Sequence, residues 1–211
     1  MESGWASEHL QVIRTLMERA AVYRRALAPT TLVAGAIGTA AALIGWFTRI
    51  ESPRGFGFFW IGVSVVAICG AFLTVRRQAL KDKEAFWSPP TRRVTQALLP
   101  PLMAGLVAAF LVVLSAGAPP ARVWWLPAIW MVLYGCALHA AGFFMARGIK
   151  LFGWGFIVLG CACAVAVSLR MDADGLPAVR NAHWLMGGTF GGLHLAYGAY
   201  LYLTEKEKNA A

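Results

Sequence analysis

Charge is scarce in this chain. Of its 211 residues only 14% are Asp, Glu, Lys or Arg, against 59% hydrophobic, and the mean hydropathy is +0.61. Average domains carry about 25% charged residues. The shortage excludes disorder, which needs the opposite balance, and it argues against a water-soluble globular enzyme. Cysteine is scarce as well. Cys69, Cys136, Cys161 and Cys163 all lie within apolar runs, so no secreted disulfide scaffold is implied. Cys161-Ala-Cys163 has the look of a soft-metal pair. Helical residues two apart point about 200° away from each other, however, so packing is the better reading. No cleavable signal peptide is evident ahead of the first apolar run, which follows four arginines and is expected to be retained.

What charge there is lies between apolar runs or at the chain ends. Six segments free of Asp, Glu, Lys and Arg remain: Pro29–Phe47, Gly55–Val75, Ala97–Ala116, Val123–Met145, Leu151–Leu169 and His183–Leu203. Each has the length of a bilayer-spanning helix, about 20 residues at 1.5 Å rise. Strands are excluded because a lone strand would leave its amides unpaired in hydrocarbon, and barrel strands are about half as long. The expected fold is an all-α membrane protein: a six-transmembrane-helix bundle over residues 29–204, with a short tail at 205–211.

Ahead of the bundle, residues 1–28 form an expected amphipathic helix on the cytoplasmic surface. Leu10, Ile13, Met17 and Ala20 recur at helical spacing while Glu8, Arg14, Glu18 and Arg25 take other faces, and Ser7 is placed to cap it. Basic residues set the orientation. With the N-terminus cytoplasmic, fourteen of the nineteen Lys and Arg fall inside and five outside, so both termini are expected inside. Trp46, Trp60, Trp124, Trp125 and Trp184 fall near the opposite, outer ends, where an indole prefers the headgroup level. The expected location is a bacterial plasma membrane. The net charge of +9 is read as this topology signal and as contact with anionic lipid heads, not as a nucleic-acid surface.

In the loop before the third segment, Ser88, Pro89 and Pro90 are expected to break the preceding helix, with Pro100 and Pro101 in the first turn of the next. The outer loop Asp172-Ala-Asp174-Gly175 begins like a calcium loop but lacks the later acidic ligand.

Within the spans the candidates for chemistry reduce to histidine. An acid-driven proton relay and an intramembrane lysine are both excluded by composition. His139 on the fourth span and His194 on the sixth share faces with glycines, and lie about 12 and 16 Å from the inner boundary at 1.5 Å per residue. Two imidazoles from different helices at similar depth are the minimum for axial ligation of one b-type haem, or for a quinone contact. The plainer reading is a hydrogen bond from each to a carbonyl, Tyr197 or Thr189. His183 sits at the outer boundary. A serine–histidine protease would have to draw on Ser64 and His194, and Val65 stands where such a motif needs glycine.

Helix packing is the strongest local signal. Gly187-x-x-x-Gly191 and Gly188-x-x-x-Gly192 offer two overlapping close-approach registers on the sixth span, and Gly38 and Gly45 supply another on the first. Such faces serve packing within the chain, a homo-oligomer or a docked partner. The leading functional expectation is a non-enzymatic accessory, sensory or regulatory membrane subunit, whose partners are the lipid bilayer and a protein or apolar ligand. The alternatives are a redox subunit holding haem b or quinone between His139 and His194, and a transporter of a small neutral solute.

Overall fold

The computed structural model describes residues 26–83, 85–114, 120–145, 147–172 and 175–210. The amphipathic helix expected over residues 1–28 lies almost wholly outside them, as does half of the Asp172–Gly175 loop. Among the described residues the structure is helical and contains no strand. In chain order the helices are α1 (Ala26–Phe47), α2 (Pro53–Lys81), α3 (Pro89–Leu114), α4 (Trp125–Ala141) and α5 (Arg147–Asp172). A 3-10 turn, Pro120–Trp124, leads into α4. The last rod consists of α6 (Arg180–Met186), a π-helical segment Gly187–Leu193 and α7 (His194–Ala210). Five helices, α1 to α5, are long and apolar enough to cross a membrane. The rod contributes no such α-helix because the π winding divides it into α pieces of 7 and 17 residues.

Local chemistry explains the boundaries. The Ser52 hydroxyl accepts the Gly55 N–H at 3.0 Å, with Pro53 at the first helical position of α2. At the other end the Asp82 N–H returns to the Gln78 carbonyl, and Lys83 turns the chain with φ of 54°. The expected role of the prolines is corrected. Pro89 and Pro90 open α3, where a missing N–H costs nothing, and it is Pro100 and Pro101 that lie inside it. In the π segment the Thr189 hydroxyl donates to the Leu185 carbonyl at 2.7 Å, and the glycines on either side place no side chain against the wider winding.

Two antiparallel seams hold the molecule together. Along the first, α1 runs against the α6–π–α7 rod, with Gly45 on His183, Ala42 on Gly187, Thr39 on Gly191, Gly35 on Leu195 and Leu32 on Gly198. A methyl added at Gly191 would lie 2.7 Å from the Thr39 amide nitrogen, and one at Gly38 would lie 3.0 Å from that of Gly191. The seam therefore uses the Gly187–Gly191 register together with Gly38 and Gly45. Gly188 faces open space, and the nearest neighbour of Gly192 is a carbonyl of its own rod. Along the second seam α4 meets α5, with Gly142 on Lys150, Gly135 on Gly153 and Gly160 on Val132. There is no polar water to displace from such faces in lipid, so close backbone approach supplies the attraction.

Around the seams α3 packs on α4, where the Trp130 indole donates to the Gly105 carbonyl at 2.9 Å. The α2 helix is peripheral. Only 6% of its most apolar stretch is buried, against 44% for the span containing α4. A tight apolar cluster closes the α1–α2 end, built on Phe56, Trp60, Val123, Leu126, Ala182 and Met186.

Candidate functional site

The structure separates the two histidines singled out by sequence. His194 opens α7 directly after the π segment and is 4% exposed. The Tyr134 hydroxyl of α4 lies 2.7 Å from its Nε2. Phe152 and Phe156 of α5 and Phe190 of the π segment complete an aromatic box around this pair. The buried Nδ1 atom has no hydrogen-bond partner. The Tyr134 hydroxyl and the His194 Nε2 thus share one hydrogen bond between α4 and α7. Sequence had offered Tyr197 or Thr189 as the partner. Thr189 instead bonds within its own rod, and the Tyr197 hydroxyl is buried against Gly148 with no hydrogen-bond partner.

His139 is half-buried, with its ring edge-on to Phe143 and Trp154 and its Nδ1 unpartnered. The two imidazoles touch different side chains of α5. Phe152 and Phe156 share one face of α5, while Trp154 lies between them on the opposite face. No hydrogen bond or ring contact joins His139 and His194.

A third histidine proves more tightly built. His183 is fully buried at the α1–α2 end. The Trp60 indole of α2 donates to its Nδ1 at 3.1 Å, and its Nε2 lies 3.0 Å from the Ile50 carbonyl in the α1–α2 turn. An indole only donates and a carbonyl only accepts, so the ring is the neutral tautomer with its proton on Nε2. Phe56, Phe59 and Trp60 surround it, and Gly45 lies against its Nδ1 edge. Beside it Arg180 sits 3.9 Å above the Trp46 ring and donates through Nε to the Trp46 carbonyl at 3.1 Å. One imidazole thus ties α6, α2 and the α1–α2 turn together.

The remaining candidates stay apart. Ser64 donates to the Ile61 carbonyl of its own helix at 2.7 Å and is exposed. Cys161 is exposed while Cys163 packs against the core, as their two-residue spacing requires. Among the described residues no three His, Cys, Asp or Glu side chains are grouped to hold a metal ion.

The Tyr134–His194 bond has a measurable consequence. Tyr134→Phe removes the hydroxyl and leaves Nε2 without a partner in an aromatic box, a loss of about 1–2 kcal/mol. Thermal unfolding in mild detergent checks this, and an unchanged transition would show that the bond contributes nothing. Sequence reasoning missed Tyr134, Trp60 and Ile50. One signal was available, since Trp60 and His183 fall at the same end of their apolar segments. Compared with known proteins, the chain matches no family model, no curated protein and no solved structure.

Proposed function

We propose that this chain is a non-enzymatic accessory or regulatory subunit of a membrane, acting through lateral contacts of its α2 face. In this reading the α6–π–α7 rod is the sixth span, both termini are cytoplasmic, and the membrane is a bacterial plasma membrane. The rod supports a sixth span by its continuous 180–210 helical course, and the fourteen-to-five basic bias supports the orientation.

The observation that carries the proposal is the state of α2. From Ile61 to Gln78 this helix buries no residue on any face. Val65, Val66, Ile68, Phe72 and Leu73 are all about half exposed, and Gly62 faces open space. A helix apolar all round is suited to lipid or to a partner's apolar face. The histidines favour the same reading, because His183 and His194 are committed to bonds between helices.

The test is a photo-crosslinking side chain placed in native membranes at Val65 and Ile68 on α2, and at Val158 and Leu169 on α5. A protein adduct of discrete mass is expected at the α2 positions and absent at the α5 positions. Lipid adducts alone at all four would overturn the reading. A Soret band in the purified protein after haem supplementation, lost in both His139→Ala and His194→Ala, would replace it with the redox subunit; no band is expected.

A further inference from the structure

We infer that the α2–α3 hairpin is a binding surface for an anionic phospholipid, the phosphate held by its exposed cations and the acyl chains laid along α2 and α3. The inference rests on a bilayer location and not on the lateral protein partner proposed above.

Six cations crowd this one turn: Arg76, Arg77, Lys81, Lys83, Arg92 and Arg93, against Asp82 and Glu84 as its only acids. All six are exposed. They do not ride on a loose loop. Ala79, Thr91 and Val94 are buried beneath them. The Thr91 hydroxyl donates to the Phe86 carbonyl at 2.8 Å and lies 3.0 Å from the Ser88 hydroxyl. Gln78 donates to Asp82 at 3.0 Å, and Phe86 stacks edge-on against Phe72 with centroids 4.7 Å apart. The turn is a fixed platform with its cations pointing away from the protein.

What lies beside the cations identifies the partner. Trp87 is 57% exposed and Leu80 is 66% exposed in the same turn. Farther along the two helices Leu73, Leu99 and Met103 continue an exposed aliphatic surface. A soluble phosphate or an acidic peptide has no use for that continuation. A phospholipid does, since its head is anionic, its backbone lies at the level an indole prefers, and its tails need an apolar wall. Each Lys or Arg near an anionic surface contributes on the order of 1 kcal/mol, so the cluster is large enough to select lipids by charge.

The experiment uses the full-length chain, delipidated in mild detergent and titrated with phosphatidylglycerol or phosphatidylcholine, with bound lipid counted by native mass spectrometry. Phosphatidylglycerol is expected to bind about tenfold more tightly. That preference should vanish in the quadruple variant Arg76→Gln, Arg77→Gln, Arg92→Gln and Arg93→Gln. It should survive when the same four become lysine, and when Arg49, Arg122 and Arg170 at the other end become glutamine. The lysine variant also separates lost binding from a misfolded chain. Equal affinity for the two lipids, an equal loss in the variant altered at the other end, or full competition by millimolar inorganic phosphate would overturn the inference.

Discussion

Gly135→Ala is expected to destabilise the bundle by about 2 kcal/mol, although alanine is the better helix former. The added methyl would lie 2.6 Å from the Gly153 carbonyl oxygen and 2.8 Å from the Ile157 amide nitrogen. Both are backbone atoms of α5, so no side-chain rotation relieves the overlap. Overpacking of this kind costs about 1–3 kcal/mol or more, and the helical preference for alanine returns at most about 1. The relation is mutual, since a methyl at Gly153 would lie 2.7 Å from the Gly135 carbonyl oxygen and 2.8 Å from the His139 amide nitrogen. The two single variants should therefore fall together, and the double variant should lose less than their sum, because α5 needs to move away only once. Gly155→Ala is the control, as nothing stands within 4 Å of a methyl there; it should be neutral or slightly stabilising. The unfolding midpoint in detergent is the readout. At about 2–4 °C per kcal/mol for a chain of this size, Gly135→Ala should melt roughly 6 °C below its parent. Equal midpoints for Gly135→Ala and Gly155→Ala would mean that the α4–α5 seam is not as close as described.

His183→Ala is expected to cost more, about 3 kcal/mol or above. Removing the ring leaves the Trp60 N–H and the Ile50 carbonyl without partners, and each buried orphan costs about 1–3 kcal/mol. It also opens a cavity among Phe56, Phe59 and Gly45. A double-mutant cycle isolates the bond from the cavity. Trp60→Phe keeps most of the aromatic volume and removes the donor, so its cost should largely disappear in a His183→Ala background. Full additivity would show that the indole and the imidazole do not interact. The damage should also be local, lying at the α1–α2 end, which the fluorescence of Trp60 and its neighbours can report.

Much of the architecture was readable from composition because lipid is an unusually strict solvent. Charge cannot lie in the hydrocarbon, so the apolar runs mark α1 to α5 within a few residues at most ends. The prolines were harder. Pro89–Pro90 and Pro100–Pro101 carry the same sequence signal, and only the position of the preceding turn decides which pair starts the helix. The glycine registers were ambiguous for a related reason. Gly187–Gly191 and Gly188–Gly192 have the same spacing, and the choice depends on which side α1 occupies. That is tertiary information, as is the winding that splits the last rod.

The histidines show the limit most clearly. Sequence ranked His139 and His194 by depth, which is a one-dimensional quantity, and in the fold they pack against different side chains of α5. His183 drew little notice because it stood at a boundary. Yet it has both ring nitrogens bonded, to groups more than 120 residues away in the chain. A residue's importance here is set by what the fold brings to it.

The first seam also sets a schedule for biosynthesis. The glycine face of α1 is completed by residues 183–198, which are made long after it. Chains grow at about 5–20 residues per second, so α1 waits roughly seven to thirty seconds before its partner is made. For that interval an early helix with an open close-packing face stands among whatever other helices are being inserted nearby. A chain truncated before residue 180 would keep that face open permanently, and the defect would show itself at a helix more than 130 residues away from the break.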